Sequence, residues 1–216
     1  MDTIIERYNK IKLNVSSIKP VKRVNIIAVS KTFSIDHIKP LLDHGHQHFG
    51  ENKVQEAISK WSDVKKDNEN FKLHMIGKLQ SNKAKDAVKI FDYIHSLDSQ
   101  KLADNLAKHQ LNLKKNLKYF IQVNIGNEIQ KSGIPVDELD PFYNYCKNEI
   151  NLNILGLMVI PPNDNNPEKY FKSLSELNKS LALEDLSMGM SADYLEAVKH
   201  GATFIRVGSS IFGARS

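Results

Sequence analysis

The stretch KYFIQVNI (118–125), followed by the helical pattern from Val136 to Asn148 and then ILGLMVI (154–160), reads as strand, helix, strand. Both strand candidates are rich in apolar residues on both alternating faces, as expected for strands covered on two sides. Pro135 and Asp137 open the helix, and Pro161-Pro162 stop the second strand. Two such strands joined by a helix lie parallel, because a crossover of that length carries the chain back to the same end.

The same unit recurs outward in both directions. VNIIAVS (24–30) precedes a helix over 34–44, HFG (48–50) one over 51–61, KLHMIG (72–77) one over 82–90, and YIHSL (93–97) one over 99–113. Downstream, a helix over 167–183 leads to DLSMG (185–189), a helix over 192–200, and finally TFIRVG (203–208) with the short SSIFGARS tail. An amphipathic helix over 3–17 stands before the first unit. Eight strands in 216 residues, about 27 residues per unit, predict a single (β/α)8 TIM-type barrel with an extra N-terminal helix, spanning residues 1–216 as one domain. A doubly wound open sheet is the alternative arrangement of the same elements.

Composition narrows the function classes. The net charge is +5, but 26 of the 30 basic residues are lysines and only Arg7, Arg23, Arg206 and Arg215 are arginines. Nucleic-acid readers favour the bidentate arginine fork, and no aromatic-basic stripe is present, so the lysines read as a solvated surface without a specific nucleic-acid partner. No run approaches ~18 apolar residues, and MDTIIERYNK has acids where a signal peptide has an apolar core; neither a membrane span nor a leader is expected. The single cysteine, Cys146, suits a reducing, cytoplasmic setting and reads as packing.

Chemistry in such a barrel gathers where strands end. The first strand ends in AVSK, placing Lys31 on the rim, where a lysine drawn out of water can attack an aldehyde and form a Schiff base; a plain surface lysine is the competing reading. In the last strand, alternation puts Phe204, Arg206 and Gly208 on the barrel-facing side and Ile205 and Val207 outside. A buried arginine needs a partner, either a structural carboxylate or a ligand. Gly208-Ser209-Ser210 and, one strand earlier, Ser187-Met188-Gly189-Met190-Ser191 offer hydroxyls and backbone N–H groups of the kind that hold phosphate. Barrel closure sets the last strand beside the first. A Schiff-base lysine, a cation for a ring nitrogen and a phosphate cradle then share one rim, which are the requirements of pyridoxal 5'-phosphate.

Here the chain resembles the pyridoxal phosphate homeostasis proteins, which have the alanine racemase N-terminal-domain barrel. The resemblance rests on AVSK (28–31), HFGEN (48–52) with VQE (54–56), IGKLQSNK (76–83), VNI (123–125) with Lys131 and Gly133, GLMVIPP (156–162), LSMGMSADYLEAV (186–198) and RVGSSIFG (206–213). It implies Lys31 as the cofactor lysine, Arg206 near the pyridine ring, Ser191, Gly208 and Ser209 around the phosphate, and Asn52 at the pocket mouth. Lys53 departs from the family pattern, which has an aromatic there, and Lys78 sits at a variable position. The resemblance also implies a non-catalytic carrier and regulator of the cofactor, with apoenzymes that depend on it as candidate partners. A minimal amino-acid racemase is the alternative, with Tyr93 or Tyr194 as the second base. The barrel uses the whole chain, so the β-rich domain that supplies this base in barrel racemases is not expected, and a monomer is.

Other motifs carry blander readings. His44, His46 and His48 have no acid or cysteine to complete a metal set. Trp61 reads as a helix-packing anchor, Met188 and Met190 as packing beside the site, and the lysines from Lys78 to Lys89 as a solvated face.

Overall fold

Near-continuous apolar runs such as Ile26–Val29 and Ile154–Met158 leave no face for water, so each strand is buried between helices and a barrel interior. The computed structural model describes residues 3–68, 70–128 and 130–214. Its strands are β1 (Asn25–Val29), β2 (His48–Glu51), β3 (Lys72–Met75), β4 (Tyr93–Leu97), β5 (Lys118–Gln122), β6 (Ile154–Met158), β7 (Asp185–Met190) and β8 (Phe204–Val207). All pair in parallel, in chain order, and β8 closes on β1 through Ile27 opposite Arg206 and Ala28 opposite Val207. The closed barrel excludes the open sheet.

The helices are α1 (Ile4–Ser17), α2 (Ile35–Asp43), α3 (Val54–Asp67), α4 (Ala84–Ile90), α5 (Gln100–Asn112), α6 (Leu139–Asn144), α7 (Pro167–Ser180), α8 (Tyr194–Lys199) and α9 (Ser209–Phe212). The extra helix α1 starts with a capping box, Thr3 accepting from the Glu6 N–H while the Glu6 carboxylate accepts from the Thr3 N–H. It packs on α2, α8 and α9. The main core lies between the strands and this helical layer. A second, smaller cluster fills the barrel itself: Ile27, Tyr93, Phe120, Met158 and Phe204. Phe204 is inside and Ile205 and Val207 are outside, as the alternation along β8 requires.

Two expected helices differ. The one expected from residue 51 starts at Val54, and Glu51 instead ends β2 with its side chain fully buried. Three donors meet its carboxylate there, a tertiary gain that overrides the helix preference of glutamate. The one expected over 136–148 is broken into a 3₁₀ turn at Val136–Glu138, the short α6 and a wide π turn at Tyr145–Glu149. Pro141, which has no N–H to give, sits in the first turn of α6.

Candidate functional site

Lys31 lies just past the end of β1, in a turn whose backbone is tied on both sides. On one side the Ser30 carbonyl accepts from Lys60 Nζ at 2.8 Å, and the buried Ser30 hydroxyl donates to Glu51 Oε1 at 2.7 Å. On the other side the Thr32 N–H donates to Glu56 Oε1 at 2.5 Å. Thr32 has φ of +70°, a left-handed conformation that is strained for a β-branched residue. Phe33 then packs on Phe212 of α9, their rings 5.3 Å apart, and joins this turn to the helix that follows β8.

The clamp sets two carboxylates on one cation. Lys60 bridges Glu51 and Glu56 at 3.0 Å each, and Trp61 Nε1 donates to Glu51 at 2.9 Å. Burial raises the Glu51 carboxyl above its ordinary range, outweighing the donors around it. For Glu56 burial also pushes upward, but the bonds from Thr32 and Lys60 win and hold it below the usual carboxylate value. Trp61 is thus more than a packing anchor: it helps hold Glu51 beneath the Lys31 turn.

Arg206 is buried inside the barrel near the upper end of β8. Its guanidinium donates from Nη1 to Ser187 Oγ at 2.7 Å and from Nη2 to the Val159 carbonyl at 2.8 Å. Among the described residues no carboxylate lies within 4.0 Å of it, so the structural ion pair weighed from sequence is not formed. Burial lowers its pKa to about 10, opposed by the charge of Asp193, and it stays a cation at neutral pH.

Above Arg206, Gly208 precedes α9, and its N–H donates to Ser191 Oγ at 3.4 Å. The first N–H groups of such a helix have no acceptor behind them in the chain. A side chain at Gly208 would touch Val29, at 3.2 Å from its Cβ, so β1 and β8 approach closely two residues before Lys31. Gly189, at φ of +90°, lets β7 turn toward Ser191; a Cβ there would meet Ala197 Cβ at 2.6 Å. Lys31, Ser191, Arg206, Gly208 and Ser209 therefore gather on the β1, β7 and β8 side. Asn52 stands beyond β2, its backbone pressed against Gly77, where any Cβ would fall 2.4 Å from the Asn52 carbonyl oxygen.

These positions correct the reading of Ser187 and Met190 and locate the other candidates. Ser187 lies inside the barrel between Arg206 and His95, below the rim, and is not part of a phosphate loop. Met188 faces the outer core and Met190 is exposed. Tyr93 starts β4, at the end of the barrel opposite Lys31, where its hydroxyl accepts from Lys118. The Tyr194 hydroxyl bonds to Asn14 of α1, outside the barrel. The three histidines of HGHQH do not converge: His46 bonds to the Tyr8 hydroxyl and the His48 carbonyl, and His48 Nδ1 turns inward to His74. Cys146 is buried, and burial pushes its thiol up to about 12.

Sequence reasoning missed His95, His74 and the Glu51–Glu56–Lys60 clamp, and gave Ser187 a different role. Signals for them existed: histidines within the strand runs LHM and IHS, and a Glu56–Lys60 pair at i, i+4.

Comparison with known proteins shows the family and the fold. The family model described as "Alanine racemase, N-terminal domain" matches residues 7–216. The pyridoxal phosphate homeostasis protein of Pasteurella multocida is 39% identical over 207 residues, covering 91% of this chain and 89% of that protein. Its counterpart from Haemophilus influenzae is 38% identical over 203 residues, covering 89% and 86%. Among solved structures, PipY of Synechococcus elongatus with pyridoxal phosphate bound superposes with a TM-score of 0.88 at 35% identity, covering 98% of this chain and all of that one. An alanine racemase of Clostridium difficile shares the fold at 12% identity, with a TM-score of 0.73 over 98% of this chain and 56% of its own.

Proposed function

Because the chain belongs to the pyridoxal phosphate homeostasis proteins of the alanine racemase N-terminal-domain family, we propose that it is a single-domain, non-catalytic carrier and regulator of pyridoxal 5'-phosphate. The cofactor supplies an aldehyde that a lysine amine can capture reversibly as a Schiff base, together with a phosphate dianion and a ring nitrogen. Lys31 is the capturing amine, held at the rim by its clamped turn. Arg206 faces the ring nitrogen as a permanent cation. The Gly208 and Ser209 N–H groups and the Ser191 hydroxyl hold the phosphate, and Asn52 borders the mouth.

The observation that carries this reading is Arg206, a buried charge with no carboxylate within reach among the described residues, one strand away from the Lys31 turn. Such a charge is costly unless an anionic or electron-rich ligand faces it. An arginine at the ring nitrogen also leaves that nitrogen unprotonated, which weakens the electron sink that amino-acid chemistry needs and suits storage. Neither tyrosine considered for a racemase reaction faces Lys31. In this reading the chain works in the cytoplasm as a monomer, without nucleic-acid or membrane partners, and passes the cofactor to apoenzymes that require it. No helix among the described residues is long and apolar enough to cross a membrane.

The test is borohydride reduction of the loaded protein with peptide mapping of the adduct. The adduct is expected on Lys31, and both it and the cofactor absorbance should vanish in Lys31→Ala. An adduct of undiminished yield in that variant overturns the lysine assignment. Exchange of the α-proton of an ordinary amino acid at a catalytic rate overturns the non-catalytic assignment.

A further inference from the structure

Arg206 begins an unbroken row of polar groups that descends through the barrel. Its Nη1 is 2.7 Å from Ser187 Oγ, which is 2.8 Å from His95 Nδ1. His95 Nε2 lies 2.9 Å from His74 Nδ1, and His74 Nε2 lies 2.9 Å from His48 Nδ1. Ser187, His74 and His95 are fully buried, and His48 is half-buried at the start of β2. The rings are also fixed by stacking, His95 on Phe120 with centroids 4.4 Å apart and His74 on Tyr93 at 4.2 Å.

The direction of this row follows from its first member. A guanidinium has donors only, so Ser187 Oγ accepts from Arg206. With its hydroxyl proton given to His95 Nδ1, every subsequent contact is one donor meeting one acceptor. His95 then carries its proton on Nε2 and donates to His74 Nδ1, and His74 does the same to His48. The opposite order would leave the Ser187 proton without an acceptor in the row. Burial holds the His74 and His95 imidazoles well below their ordinary pKa, and His48 at about 4, so all three are neutral near pH 7. In this order every link turns its negative end toward Arg206 and its positive end away.

We propose that Ser187, His95, His74 and His48 form a one-way hydrogen-bond relay that orients and stabilises the Arg206 guanidinium with aligned dipoles instead of a carboxylate. A carboxylate would cancel the charge and saturate the fork. The neutral relay secures one N–H while leaving the positive charge uncompensated for a ligand above it. These four are positioning residues: they act on the cofactor through Arg206. That last step rests on the function proposed above, whereas the order of protons within the relay does not.

The test therefore has a cofactor-free arm. Long-range proton–nitrogen correlation on the ¹⁵N-histidine-labelled full chain reads which ring nitrogen carries the proton. His48, His74 and His95 are all expected with protonated Nε2 and bare Nδ1, and a protonated Nδ1 on His74 or His95 overturns the relay whatever the cofactor does. In the loaded protein, Ser187→Ala should shift the cofactor absorbance and weaken its binding by about tenfold, while Ser187→Thr, which keeps the hydroxyl, should restore both. Unchanged spectrum and affinity in Ser187→Ala, with the adduct still mapping to Lys31, would overturn the positioning role. Failure of the adduct to map to Lys31 would instead fall on the proposed function, and the tautomers would still decide the relay.

Discussion

The turn that carries Lys31 and the guanidinium of Arg206 are fastened by different chemistry. Around Lys31 the protein grips the backbone: Lys60, Glu51 and Glu56 fasten Ser30 and Thr32 through a charged cluster. Around Arg206 it grips the side chain, with a hydroxyl, a carbonyl and, behind the hydroxyl, neutral imidazoles. The turn that carries the proposed capturing amine is thus fixed through its main chain on both sides of Lys31. A guanidinium that serves only as a fixed charge can have its donors tied, provided that nothing neutralises it. The Lys31 turn is thus held by ion pairs and strain, and Arg206 by uncharged dipoles that reach across the barrel to β4, β3 and β2.

Acid should attack the buried imidazoles first, those behind Arg206 and His46 beside them. The pKa of His46 and of His48 is lowered by burial from 6.5 to about 4, and burial also holds His74 and His95 well below their ordinary value. The unfolded chain then binds more protons than the folded one, so stability is fully present above pH 6.5 and is lost as pH falls from there toward 4. His46 and His48 should each cost on the order of 2–3 kcal/mol across that window. Glu51 works in the other direction: its raised pKa means protonation favours the folded state, which softens the loss. Urea titrations at successive pH values check this. A flat stability between pH 6.5 and 4.5 would mean that the barrel histidines are hydrated and ordinary.

Lys60→Met probes the clamp on the Lys31 turn at neutral pH. It leaves Glu51 buried without its cation and removes the tie to the Ser30 carbonyl, and breaking such a pair should cost about 3 kcal/mol in denaturant unfolding. Cofactor capture should fall too, because the Lys31 turn loosens. A loss below about 1 kcal/mol would show that Glu51 is already protonated and that the clamp is a hydrogen-bond network only.

The eightfold barrel was legible because its strands are short apolar runs at regular spacing, and the inward position of Arg206 followed from alternation along Phe204–Val207. Glu51 was not legible. A glutamate ahead of a helical pattern reads as its first turn, and only Trp61, Lys60 and Ser30 converging from other segments bury it in β2. The relay was hidden for a related reason: His48, His74, His95 and Ser187 come from four strands, and no sequence spacing records that β7 faces β4 across the barrel. Ser187 was read with its neighbours as a glycine-serine loop, although Gly189 and Ser191 make the turn and Ser187 lies two residues inside the strand.

Thr32→Gly separates strain from clamp. Glycine adopts φ of +70° without penalty, so relief of a strained β-branched residue should raise stability by about 1 kcal/mol, less the entropy that glycine adds to the unfolded chain. The Thr32 N–H that Glu56 accepts from is retained, so cofactor capture should change less than in Lys60→Met. A variant that is more stable and captures as well as wild type would show that the strain is incidental to the site. Weaker capture despite higher stability would show that the side chain at 32 stiffens the turn.

Arg206→Met should give the smallest change in stability and so draws the sharpest contrast with Lys60→Met. Both remove a buried cation and leave a similar apolar stem. Lys60 leaves a carboxylate behind, whereas Arg206 leaves only neutral groups, the Ser187 hydroxyl that still has His95 as a partner and the Val159 carbonyl. Removing the desolvated guanidinium offsets the two lost bonds, and unfolding free energy should move by no more than about 1 kcal/mol. Cofactor retention should nevertheless weaken and the absorbance shift, because the ring then faces an apolar group. Large destabilisation with unchanged cofactor affinity would reverse the assignment and make Arg206 a structural element of the barrel; stability held with affinity lost is what a charge kept for a ligand requires.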